Sequence, residues 1–169
     1  MCKRSVSEIS WHVDGPPKIA ASYAINRFQQ TPSKMKTSSY IWDINNPNEP
    51  EVTLNSPSPI TNLSYNHKLT DLVGGGCANG IVGVWDTRKG SDPVALSHVE
   101  KSHHDPVTHF QWQMTKTGQD CVTVSTDGFA HFWDIRKLKE DRTETLTIKD
   151  TNNKGEEIVI GATALENSP

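Results

Sequence analysis

Four histidines, His98, His103, His104 and His109, stand close together in the sequence with Asp105 among them. Imidazole and carboxylate are zinc ligands, so the cluster is a candidate for metal chemistry. Its spacing matches none of the compact histidine motifs, however, and loop and side-chain hydrogen-bonding roles account for the same residues, so no metal site is assigned. Gly74-Gly75-Gly76 has the look of a phosphate cradle, but a cradle needs a following Lys-Ser/Thr and a helix start, and Cys77-Ala78-Asn79 supplies neither. A closely packed strand is the reading of that stretch. Ser125, His131 and Asp127 contain the groups of a hydrolytic triad, yet Val124-Ser125-Thr126-Asp127-Gly128 is not a strained nucleophile turn. The expectation is a protein with no catalytic residue and no cofactor.

The elements that must position these residues are marked by three Trp-Asp pairs, each ending a run of strand formers: Trp42-Asp43 after Ser38 to Ile41, Trp85-Asp86 after Ile81 to Val84, and Trp133-Asp134 after Phe129 to Phe132. The tryptophans are 43 and 48 residues apart. That is the period of a WD-type blade, a four-stranded antiparallel sheet whose third strand closes on Trp-Asp. The predicted fold is therefore all-β, a fragment of a WD-repeat β-propeller with three four-stranded blades plus the start of a fourth, the ring not closed. The expected units are 1–57, 58–98 and 99–149 for the three blades, and 150–169 for a linker and the truncated start of the fourth. At 169 residues the chain is too short for a closed seven-bladed ring, which needs roughly 300.

Strands are predicted over 5–11, 18–25, 37–44 and 51–55; over 60–65, 72–77, 81–87 and 93–97; and over 107–113, 121–125, 129–136 and 144–148. Asn79-Gly80 and Asp127-Gly128 are hairpin signals, because both residue types tolerate positive φ. Arg27 to Lys36 reads as a long polar connection, Asp150 to Glu156 as a polar linker, and Ile158 to Glu166 as the opening strand of the next blade, favoured by its β-branched Ile158-Val159-Ile160 over the alternative of a short helix. An incomplete fan should leave apolar sheet faces uncovered, with Ile41, Val84 and Phe132 or their neighbours on them.

A net charge of −3 and a pI near 6.1 argue against a general phosphate-binding surface, so nucleic acid is not an expected partner. No apolar run approaches the ~20 residues of a membrane span, and no secretory signal opens the chain, so neither a membrane nor export is expected. Cys2, Cys77 and Cys121 are odd in number and far apart. Such usage suits reduced thiols in a cytosolic protein.

Six residues before Trp85 and Trp133 stand Asn79 and Asp127. The third repeat is the most regular: Ser125-Thr126-Asp127-Gly128 resembles the turn of WD repeats, and His103-His104-Asp105-Pro106-Val107 resembles the loop before their next inner strand. In that family a His, a strand hydroxyl, the turn Asp and the Trp form a hydrogen-bonded chain that locks the blade. The resemblance nominates His103 or His104, Thr123 or Ser125, Asp127 and Trp133, and a fully satisfied network of this sort rigidifies a β core. The second repeat keeps Asn79 and Trp85 but has Gly75 and Cys77 where the hydroxyl belongs; the first keeps Trp42 with Lys36 at the turn position. Trp85-Asp86-Thr87-Arg88 and Trp133-Asp134-Ile135-Arg136 fit Trp-Asp-x-Arg, which in some propellers docks on cullin-type ubiquitin ligase adaptors. The alternative role of these arginines is to pair with a carboxylate at the blade corner.

More distinctive strings are Ser10-Trp11-His12, Ser39 to Asp43 with Asn46-Pro47-Asn48-Glu49-Pro50, Gly75 to Gly80, Asp86-Thr87-Arg88-Lys89-Gly90 and Lys116-Thr117-Gly118. With them, residues 9 to 137 resemble the axonemal members of the WD-repeat dynein intermediate chain family, specifically the type-2 chains of outer arms. The resemblance implies a non-catalytic scaffold, in cytoplasm, cytoskeleton and cilium axoneme. It implies as partners a dynein heavy chain and a second intermediate chain, within the microtubule-associated dynein complex. A generic WD-repeat adaptor of a ubiquitin ligase and a cytoplasmic dynein intermediate chain are the alternatives.

Overall fold

The computed structural model describes residues 4–15, 17–25, 35–152 and 156–166. Most of the polar connection read over Arg27 to Lys36, and Cys2, lie outside the described residues. Three four-stranded antiparallel sheets follow one another along the chain, each in simple sequential order. The first holds β1 (Ser5–Trp11), β2 (Lys18–Ala24), β3 (Ser39–Asp43) and β4 (Val52–Leu54), and the second β5 (Ile60–Tyr65), β6 (Leu72–Cys77), β7 (Val82–Asp86) and β8 (Ala95–Leu96). The third holds β9 (Val107–Trp112), β10 (Asp120–Ser125), β11 (Phe129–Asp134) and β12 (Glu144–Thr147). A 3-10 turn, Val99–Lys101, lies between β8 and β9.

The hairpins form where the chain supplies the turn chemistry. Gly80 (φ +82°) closes the β6–β7 turn and donates its amide to the Cys77 carbonyl at 3.0 Å; Gly128 (φ +83°) does the same between β10 and β11. Both glycines sit where a side chain would strain the backbone. The outer strands β4 and β8 are shorter than their sequence runs, with Pro50 and Pro57 on either side of β4 and Pro93 ahead of β8.

The core lies between sheets. Ala20, Ile41 and Leu54 of the first pack against Ile60, Leu63, Tyr65, Val73 and Trp85 of the second. Val82 and Val84 then face Val107, Phe110, Trp112, Cys121, Trp133 and Leu138. The glycine run of β6 belongs to this second joint. A β-carbon on Gly74 would overlap the Phe110 ring, and one on Gly76 the Val107 side chain. Glycine is needed there because two sheets meet across it.

Two differences from the sequence reading stand out. Ile41 and Val84 do not lie on outward faces: each is only 1% exposed, shut inside a joint. The outward face of the first sheet instead carries Val6, Ile9 and Trp11, which are 48%, 51% and 62% exposed, with half-buried Tyr23, Tyr40 and Trp42 in register beside them. Alternation along a strand puts 9, 11, 40 and 42 on one face and Ile41 on the other. The second difference is at the C-terminal end. β13 (Lys149–Thr151), of which Asp150 and Thr151 fall in the stretch read as linker, pairs with β14 (Glu157–Val159) in a small separate sheet, so the predicted strand over 158–166 extends only to Val159. A Lys149–Glu157 ion pair at 2.7 Å and the Asn152–Glu156 bonds hold this hairpin, and neither shows in hydrophobic periodicity.

Candidate functional site

The third sheet and the loop before it converge on one polar cluster. Loop residue His103 is buried, and its Nδ1 lies 3.0 Å from Asp127 Oδ2. Because an ionised carboxylate only accepts, Nδ1 carries the proton and Nε2 is the acceptor. Thr123, on β10, donates its hydroxyl to that Nε2 at 2.9 Å and accepts from Trp133 Nε1 at 2.8 Å. Donation thus runs one way, from the Trp133 indole through the Thr123 hydroxyl and His103 to Asp127. Burial pushes His103 below the ordinary histidine value, against the pull of Asp127. Burial would raise Asp127, but the Phe129 amide and His103 outweigh it and hold the carboxyl below its ordinary value.

The other nominated residues fall into place around this chain or away from it. His104 is exposed and contributes only its backbone amide, to Asp127 Oδ2 at 3.1 Å. Ser125 donates to the Pro106 carbonyl at 2.9 Å. Asn79 accepts from the Ile81 amide at its own turn. Trp85, with no hydroxyl at Gly75, donates to the Asn55 carbonyl at 2.9 Å. Trp42 is half-buried and stands edge-on to Tyr40, centroids 6.1 Å apart.

Sequence reasoning missed a second layer. His131 is buried and stacks on His103, with centroids 4.1 Å apart and planes 20° from parallel. Arg142 Nη1 donates to its Nε2 at 3.1 Å, so its Nδ1 holds the proton and donates to Thr145 Oγ1, also at 3.1 Å. Burial, then His103 and Arg142, push the His131 pKa down to about 4. The signal was present: two residues before Trp133 on one strand, His131 must share its face. Ser56, in the loop between β4 and β5, meets Cys77 of β6 at 3.2 Å, which the sequence did not signal.

The chemistry these groups offer is hydrogen bonding. Ser125 does not meet His131, whose nitrogens go to Arg142 and Thr145, and the four histidines diverge: His98 caps the 3-10 turn, and His109 lies on the outward face of β9. Among the described residues no group of three or more His, Cys, Asp or Glu is placed to hold a metal. At the two Trp-Asp-x-Arg corners each arginine clasps its own aspartate. Arg88 meets both Asp86 oxygens at 3.0 Å, and Arg136 meets those of Asp134 at 2.6–3.1 Å. These bonds hold both carboxyls below their ordinary values.

A polar lock on stacked sheets is common to many propellers, and comparison with known proteins narrows it. Dynein intermediate chain 3, ciliary, of Heliocidaris crassispina is 48% identical over 168 residues, 99% of this chain. Dynein axonemal intermediate chain 2 of Rattus norvegicus is 45% identical over 97% of this chain. The 70 kDa intermediate chain of the Chlamydomonas reinhardtii flagellar outer arm is 44% identical, also over 97%. This chain is a homologue of the axonemal dynein intermediate chains. It spans about a quarter of the length of these relatives, 26–28%. No protein-family model matches it. Their ciliary, axonemal and flagellar names indicate the axoneme of the cilium as the setting of the homologous dynein subunits, and of this one.

Proposed function

We propose that the chain acts as a non-catalytic scaffold within outer-arm axonemal dynein, binding a dynein heavy chain and a second intermediate chain as the motor is assembled for ciliary motility. The similarity to axonemal intermediate chains along 97–99% of its residues carries this reading. The fold supports it, since stacked sheets with an aromatic outward face present surface rather than a reaction centre. The nominated residues His103, His104, Thr123, Ser125, Asp127, Trp133, Asn79, Trp85 and Trp42 then serve structure, with the Trp133–Thr123–His103–Asp127 chain locking the third blade so that its surface keeps one shape.

Affinity capture of the tagged chain from ciliated-cell extract tests this. Recovery of axonemal heavy chain and a second intermediate chain is the expected result. Recovery instead of a cullin ligase adaptor, lost in the Arg88→Ala and Arg136→Ala variants, would replace the reading with the adaptor alternative, and recovery of cytoplasmic dynein would move it to the other motor class.

A further inference from the structure

One hydroxyl recurs near the start of each sheet's first strand, and each makes the same kind of bond. Ser7 Oγ donates to the Ile60 carbonyl of the next sheet at 3.2 Å, and Thr61 Oγ1 to the Val107 carbonyl of the sheet after that at 2.6 Å. Thr108 Oγ1 then donates to the Ala162 carbonyl, again at 2.6 Å. The two threonines repeat in detail: each also lies 3.1 Å from a carbonyl of its own second strand, Gly76 for Thr61 and Val124 for Thr108. In the first two joints the acceptor directly precedes the next hydroxyl, at Ile60-Thr61 and Val107-Thr108, and Ala162-Thr163 keeps that order. Ser7, Thr61, Thr108 and Thr163 line one cleft of about 330 Å³.

The turn above repeats the match. Gly80 leaves room for the His103 and Asp105 carbonyls, and Gly128 leaves room for Val159 and the Ile160 carbonyl. The Ala162 amide also donates to the Ser125 carbonyl at 3.1 Å.

We propose that Ser7, Thr61, Thr108 and Thr163 form a hydroxyl row that sets sheet-to-sheet register along the inner strands, and that residues 160–163 are seated in this row as the first strand of a fourth blade. Thr163 then presents the next rung, and what it fits is the main-chain carbonyl of a further extended segment. A hydroxyl suits this task because its one proton goes to the neighbouring sheet's carbonyl, at 2.6 Å in both threonine joints, while its oxygen is held beside its own sheet, and the pair of distances fixes their offset. It also explains how a segment with no strand partner of its own keeps a defined place. The row goes beyond the dynein reading and stands without it.

Hydrogen exchange read by mass spectrometry on the whole chain tests this. In the unmodified chain the amides of Ile160 and Ala162 should be protected, since they donate to Ile148 and Ser125. Thr108→Val should speed their exchange about tenfold, as loss of one hydrogen bond does, while Thr108→Ser should not. Thr163→Val, which removes the next rung, should leave Ala162 protected. Fast exchange at 160–162 in the unmodified chain, or equal protection in Thr108→Val and Thr108→Ser, would overturn the proposal. The first of these readouts stands even if Thr108→Val does not fold.

Discussion

Thr123 is the residue on which the buried lock turns, because its single oxygen serves both the Trp133 indole and the His103 ring. Thr123→Val keeps the shape and removes the oxygen, leaving two buried nitrogens without partners, each costing about 1–3 kcal/mol. Trp133→Ala, which also empties the joint, should cost about 3–5 kcal/mol, whereas exposed Lys36→Ala should be nearly silent. Urea midpoints compare the three, and equal shifts for Trp133 and Lys36 would show that the repeat alignment is wrong. The stacked His131 predicts a pH dependence. Its pKa falls from 6.5 to about 4 on folding, so between those values the unfolded chain binds a proton that the folded chain does not. Stability is then complete above pH 6.5 and lost as pH falls toward 4, by up to about 3 kcal/mol, with His103 acting in the same direction. Asp127, held low, adds its own loss only below the carboxylate range. Urea midpoints at about pH 7 and about pH 4.5 should differ in the parent and differ less in His131→Asn, where His103 alone of the pair is left to titrate; a flat parent profile would contradict the stacked, neutral pair.

At the scale of elements, the close contact of β6 with β9 makes Gly76→Ala a costly change, since its β-carbon has nowhere to go against buried, branched Val107. Overpacking of this kind costs about 1–3 kcal/mol. Gly90, in a turn with no atom near its missing β-carbon, is the comparison, and Gly90→Ala should show only the smaller strain of its φ of +101°. The three sheets were legible because Trp-Asp, Asn-Gly and Asp-Gly are local signals of strand end and hairpin. The faces were less so: placing Ile41 outward ignored that it alternates with Trp42 across the strand, and placing Val84 outward ignored that the middle sheet is covered on both faces, Trp85 in one joint and Val84 in the other. The β13–β14 hairpin carries charge pairs where periodicity looks for apolar residues. At the site, His103, Thr123, Asp127 and Trp133 could be named from turn spacing, while Arg142 and Thr145 reach His131 from a different strand and loop, a closeness that only tertiary packing creates.

The whole molecule carries an aromatic and aliphatic surface at one end of the stack, Val6, Ile9 and Trp11 with Tyr23, Tyr40 and Trp42, with the Arg4 guanidinium 5.3 Å from the Tyr23 ring centre. Several hundred Å² of such surface left in water forgoes on the order of 10 kcal/mol, comparable with the stability of a domain. The chain by itself should associate or bind a hydrophobic dye, and Trp11→Glu with Ile9→Lys should reduce both. A monodisperse parent by light scattering with a sharp cooperative melt would contradict this. The two joints differ from that surface in being sealed, and each contains one cysteine: Cys77 between the first and second sheets, Cys121 between the second and third. Burial raises both thiols, Cys77 to about 11, so neither supplies thiolate in the closed molecule. The stack therefore carries its own pair of chemical clocks: under iodoacetamide, the rate at which each cysteine gains mass reads how often that joint parts, and the ratio of the two rates ranks the joints by strength with no residue changed.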